Sequence, residues 1–281
     1  TGHSNVAVGT NALIANTTAR DNVALGFCAL VGNTTGCRNT ASGSLALDSN
    51  TTADDNTATG YKALYANTTG HSNVAVGKDA LVANTTGIQS VALGNGALYL
   101  QTTGNYNVSV GLASLSSLTT GENNVALGMQ AGLDVTTGHE NVLIGVNAGR
   151  SISPFQVTTQ SRRIVMGNND TTNFYAKVAL TVTSDLRDKT EIADIPHGLD
   201  FVDKLKPVSF KFKKSREDDT PTGTKHYGFL AQDILELEGS DNVIIDDEQP
   251  ETLKYKGEHL VPVLVNAIKE LTARVKELEN E

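Results

Sequence analysis

No tryptophan occurs in this chain of 281 residues, aromatic side chains make up only 5%, and cysteine occurs twice. A wide core is usually filled by bulky rings, so a sequence this poor in them favours a thin, stacked interior. Charge is also scarce, but only at one end: residues 1–150 carry 13 charged side chains, whereas residues 185–281 carry 36. That step marks two or more domains. The net charge of −9 argues against nucleic-acid backbones and anionic membranes as partners, since both need a basic face. No stretch is apolar for long enough to span a bilayer, and none has the layout of a signal peptide. Thr1 to Asn5 already sit inside a repeat, so we expect the sequence to begin partway through a longer protein. Cys28 and Cys37 are too few for a disulfide framework; free surface thiols are expected, with one local bridge as the alternative.

What the first half does have is a period. Gly9, Gly26, Gly43, Gly60, Gly77, Gly94, Gly111, Gly128 and Gly145 recur every 17 residues without a slip. Asparagine stands four positions earlier from Asn5 to Asn141, broken only by Ser90. Leucine stands four positions later from Leu13 to Leu115, and glycine replaces it at Gly132 and Gly149. Asn-Thr-Thr runs begin at Asn16, Asn33, Asn50, Asn67 and Asn84.

Val6-Ala7-Val8-Gly9 and its copies alternate with the period of a strand, and Gly, Thr and Asn are too dense for a helix. A unit this short cannot bury its own apolar face, so its copies must stack as coils of a parallel β-solenoid over residues 1–150. We expect the large residues beside alanine to fill the interior, and the alanine rank to face outward, where a neighbouring chain could approach closely. Asparagine and threonine should pair from coil to coil. The repeat resembles the heads of trimeric autotransporter adhesins of the YadA type, which are β-rolls assembled as trimers; similar repeats occur in phage fibres.

Other features of this half carry less. His3, His71 and His139 share a register four coils apart, too far to hold one metal, and no cofactor is implied. The Asn-Thr-Thr runs satisfy the glycosylation sequon, but a turn-driven repeat produces that pattern by itself. Residues 151–184 read as a connector: Arg163 to Gly167 as a last strand and turn, and Phe174 to Val182 as a β-rich cap.

The hinge Ser184-Asp185-Leu186-Arg187-Asp188-Lys189 opens a charged, helix-capable region, 185–281. It resembles the start of the phage intramolecular chaperone domain, the peptidase S74 family. Leu205 to Phe212, His226 to Gln232, Tyr255 and a final helix from about His259 to Glu281 extend the resemblance. An α+β domain ending in a long helix is implied, which directs trimerisation of a fibre and then cuts itself off. The resemblance assigns Ser184 and Lys189 as the catalytic pair and the Ser184–Asp185 bond as the cut. It also implies a virion tail fibre or spike, assembled in the host cytoplasm and acting at the host cell surface on a glycan or protein receptor. Myelin regulatory factor-like proteins share the domain, but the repeat points to a fibre.

The residues can be weighed without the family. A neutral lysine can deprotonate a serine, and neutrality needs burial or a nearby cation such as Arg187. Taken alone, Ser-Asp-x-Arg reads as a helix N-cap. A serine reaches the carbonyl before it through a five-membered ring but its own only through a strained four-membered one. Cleavage after Ser184 therefore calls on an activated water, Asp185, or a serine from another chain. His226 and Gln232 could polarise the scissile carbonyl or make buried structural bonds. Val261, Leu264, Ile268, Leu271, Val275 and Leu278 follow 3-4 spacing, formally a dimer-like zipper, unless the stripe packs on its own domain. The alternative function is a non-catalytic trimeric adhesin whose terminal domain stays attached. A polysaccharide-degrading spike would need paired carboxylates, and the acidic residues of the repeat are scattered.

Overall fold

The computed structural model describes residues 2–150, 156–168, 170–171, 175, 177, 184–213, 218–239, 242–248 and 250–280. The chain divides between Thr171 and Thr172 into two units. Most of the expected cap at 174–182 lies outside the described residues, as do residues 214–217.

The first unit is a parallel β-solenoid. Its strands are β1 (Val6–Val8), β2 (Val23–Leu25), β3 (Thr40–Ser42), β4 (Thr57–Thr59), β5 (Val74–Val76), β6 (Val91–Leu93), β7 (Val108–Val110), β8 (Val125–Leu127), β9 (Val142–Ile144) and β10 (Ile164–Met166). They form one sheet in chain order, each strand paired in parallel with the next. Coils are 17 residues long except the last, which takes 22; the extra chain enters between Gly149 and Val157, whose backbone groups bond across it.

Period-2 alternation predicts which residues share a face, but the structure reverses the expected facing. The middle residue points in: Ala24, Ala41, Ala58, Ala75, Ala92 and Ala126 are fully buried. Their large neighbours point out, with Leu25 39% and Val76 38% exposed. The reason is room. The turn leucines from Leu30 to Leu115 are fully buried in the same core, and only a methyl group fits beside them. Those leucines adopt φ near +50°, as at Leu81. That backbone costs about 1–2 kcal/mol for a side chain with Cβ, and burying a leucine, at about 1.5–3 kcal/mol, offsets it. Where Leu143 replaces alanine at the strand centre, the turn leucine becomes glycine. A Cβ at Gly132 would lie 2.6 Å from Leu143 Cδ1, and one at Gly149 2.9 Å from Leu143 Cδ2. Volume has moved from turn to strand.

Two buried asparagine ladders tie the coils together. In the first, each Asn side chain accepts the next Asn backbone N–H, as Asn22 does from Asn39 at 2.9 Å. In the second, Asn50, Asn67 and Asn84 each donate to the asparagine one coil before, at 2.9 Å. The sequon asparagines from Asn33 to Asn84 are therefore fully buried and engaged, closed to glycosylation. Ser90 keeps the step of the first ladder, its Oγ accepting the Asn107 N–H at 3.2 Å, but it has no amide to offer, and Gln101 of the second reaches across. Gln101 Nε2 donates to Ser90 Oγ at 3.3 Å, and its Oε1 accepts Asn107 Nδ2 at 2.9 Å. We expect Gln101→Asn to lower the stability of the rod by about 1–2 kcal/mol through the polar atoms it strands. Adding Ser90→Asn should recover most of that loss, and a double-mutant cycle of denaturant midpoints checks the coupling.

The second unit contains α1 (Leu199–Val202), the antiparallel hairpin β11 (Val208–Lys213) and β12 (Pro221–Gly228), α2 (Ala231–Glu238), the short pair β13 (Ile245–Asp246) and β14 (Lys254–Tyr255), and α3 (Leu260–Glu279). Its core gathers Phe201, Ile234, Ile244, Ile245, Leu260 and Val263. Glu238 is buried and accepts the backbone N–H groups of Val243, Ile244 and Ile245 at 2.7–3.0 Å. Glu270 of α3 accepts the Leu199 N–H at 2.8 Å, which caps α1 and ties the final helix to the start of the domain. The face of α3 toward this core is Leu260, Val263 and Ala267. The 3-4 stripe of Val261, Ile268, Leu271 and Leu278 is exposed and does not pack on its own domain.

Cys28 and Cys37 are free, half-buried thiols.

Candidate functional site around Ser184

Residues 185–189 make one tight turn. Asp185 is the N-cap of a 3-10 turn over Leu186–Asp188, and its Oδ1 accepts the Arg187 N–H at 2.9 Å. The Lys189 N–H closes the turn on the Leu186 carbonyl at 3.2 Å. This reversal brings together the two ends of the hinge: Lys189 Nζ donates to Ser184 Oγ at 2.8 Å. Both side chains are exposed.

Arg187 points elsewhere. Its Nε and Nη2 grip Asp185 through both carboxylate oxygens, at 3.0 and 2.6 Å. The Arg187 side chain, and then its backbone N–H, hold the Asp185 carboxyl below the usual carboxylate range, and Asp185 raises the guanidinium in return. The sequence reading missed this pairing, although acid and base two apart in a capped turn is its signal. One consequence is chemical. Arg187 is engaged by a counter-ion, so it is not the free cation that would favour a neutral lysine. A second is directional: Lys189 Nζ donating to Ser184 Oγ is the reverse of the bond a general base makes.

His226 and Gln232 do other things. His226 lies on β12, exposed, with its ring 5.8 Å from Phe210 and 5.3 Å from Phe212. Within its own chain His226 is therefore not buried. Gln232 is exposed in the first turn of α2. Among the described residues, no group of three or more His, Cys, Asp or Glu could hold a metal. No described helix is long and apolar enough to cross a membrane.

A family model described as chaperone of endosialidase, peptidase S74, matches residues 184–244, just over a fifth of the chain. The match begins at Ser184 and stops before α3, which joins the same domain through Glu270 and the cap of α1. No curated protein and no solved structure matches the chain.

Proposed function

We propose that this chain is a segment of a homotrimeric viral tail fibre or spike whose C-terminal domain directs trimerisation and folding. That domain then releases itself by cutting the Ser184–Asp185 bond. The observation that carries this reading is the 2.8 Å contact of Lys189 Nζ with Ser184 Oγ, at the residue where the family match begins. The exposed seam of α3 supports assembly, since a helix with one apolar face on its own domain and a second left bare is suited to meeting other copies. In isolated coiled coils, β-branched residues at a and leucine at d favour two strands, so the count of three must come from the domain and the rod.

The chemistry is peptide hydrolysis, one cut per chain with no external substrate. A hydroxyl, from a water hydrogen-bonded to Ser184 Oγ or from a neighbouring chain's Ser184, attacks the Ser184 carbonyl. The C–N bond to Asp185 breaks, and the proton removed from the nucleophile passes to the leaving amine through Lys189. Where the nucleophile is a serine, water then hydrolyses the ester. Exposure of the pair in one chain motivates a gate: burial on assembly would favour the neutral amine, so cutting would follow correct association. The remaining rod would stay in the virion and meet a glycan or protein receptor on the host.

Denaturing gels of purified wild type and Ser184→Ala test this. A fragment of roughly 10 to 11 kDa, the mass of about 97 residues, is expected from the first and not the second. An intact chain in both would instead indicate an adhesin that keeps its terminal domain.

A further inference from the structure

The reversed facing of the strands leaves the solenoid with two unlike long sides. On one, the residues flanking each buried alanine project outward as continuous ranks: Val76, Leu93, Leu127 and Ile144 head one rank, and Val74 and Val91 the other. A third rank just past each glycine adds Phe27, Leu112 and Met129, all exposed. Lys78 is the single charged residue in the three ranks. On the turns, by contrast, stand an exposed threonine rank from Thr18 to Thr137 and the ion pairs of Arg38 with Asp55 and Arg162 with Glu140.

We infer that the outward face of the sheet is where the rods of further copies of this chain meet, side by side with parallel axes. The inference rests on the trimeric reading above and assigns its interface. Three features select this occupant. At about 4.8 Å per strand, ten strands give a stripe roughly 45 Å long and three ranks, or roughly 13 Å, wide. That is on the order of 600 Å² per chain, near the roughly 800 Å² per partner of specific interfaces and at the upper limit of what monomers leave bare. The near absence of charge excludes a charged cover. Finally, the stripe repeats with every coil, so a cover in contact throughout must share that repeat and its length. The same stripe on another copy has both, and rotation about an axis parallel to the rod brings identical ranks together.

The test uses the full chain in a Cys28→Ser, Cys37→Ser background, with single cysteines added at positions exposed to different degrees on β4 and on a turn. Thr57→Cys or Thr59→Cys on the stripe should be joined between chains by a short bis-maleimide, giving a two-chain band on denaturing gels. Thr69→Cys on the turn rank should not. Light scattering gives the mass in parallel. A three-chain mass with neither stripe cysteine joined, or with Thr69→Cys joined instead, overturns the face assignment and leaves the trimeric reading standing. A one-chain mass overturns both. As a second arm, Leu93→Glu with Leu127→Glu should reduce the released rod to a one-chain mass while the small fragment still forms; an unchanged three-chain rod counts against the face. Should that variant fail to fold, Leu93→Thr with Leu127→Thr replaces it, since Thr59 already occupies the rank, and a rod that dissociates at a lower temperature than wild type is the expected result.

Discussion

Lys189→Arg yields no small fragment. Arginine keeps the positive charge, the length and the hydrogen bond to Ser184, but its guanidinium does not surrender a proton and cannot act as a base. The substitution thus separates two roles that Lys189 could have in the 2.8 Å contact with Ser184. If the lysine only positions the serine, arginine should support cutting within a few-fold of wild type. If it moves the proton, the rate should fall by at least about 10²–10³, as for loss of a general base. Lys189→Met, which removes the charge as well, should fail to the same extent. The checks are the time course of fragment appearance and the mass of the intact assembly, which should be that of wild type in both variants. Cutting by Lys189→Arg at the wild-type rate would remove lysine from the chemistry.

Gly77→Ala unfolds the rod at a markedly lower denaturant concentration than wild type. Gly77 holds φ +134°, and a Cβ there would lie 2.5 Å from the Gly94 carbonyl oxygen and 2.6 Å from its carbon. Both are backbone atoms of the next coil and cannot turn aside as a side chain would. Strain of this kind costs about 1–3 kcal/mol, and the displaced coil adds the loss of its ladder bonds, so a total of at least about 3 kcal/mol is expected. Gly96 supplies the control. It has φ +64° with nothing within 4 Å of an added Cβ, and Asn11 and Asn147 adopt the same backbone at equivalent positions. Gly96→Asn should therefore shift stability by less than about 0.5 kcal/mol. Equal midpoints for Gly77→Ala and Gly96→Asn would show that close stacking at the glycine rank does not hold the rod together.

Much of the first unit was legible because each coil meets only its neighbours, so a residue and its copy 17 positions on are also partners in space. The strands begin where the Val-Ala-Val copies place them, and the ladders follow the asparagine spacing. The Ser90 interruption looked like a lapse in the pattern. Its compensation by Gln101, eleven residues later on another ladder, becomes visible only when the coil closes. At the hinge, the residue types were readable, but the pairing of Arg187 with Asp185 was not. Sequence names a possible cation, and geometry determines which carboxylate holds it.

By itself the sequence determined the repeat length, the stacking it enforces, the glycine corners and the point where the chain changes character. These follow from local chemistry: a short unit that cannot bury itself, and a backbone angle that glycine tolerates. Tertiary structure alone decided which side of each strand faces in, and that the apolar stripe of α3 looks away from its own domain. Alternation specifies that neighbours point opposite ways without saying which way is inward. That choice depends on the space left once leucines such as Leu81 have entered from the turns, and alanine is what fits.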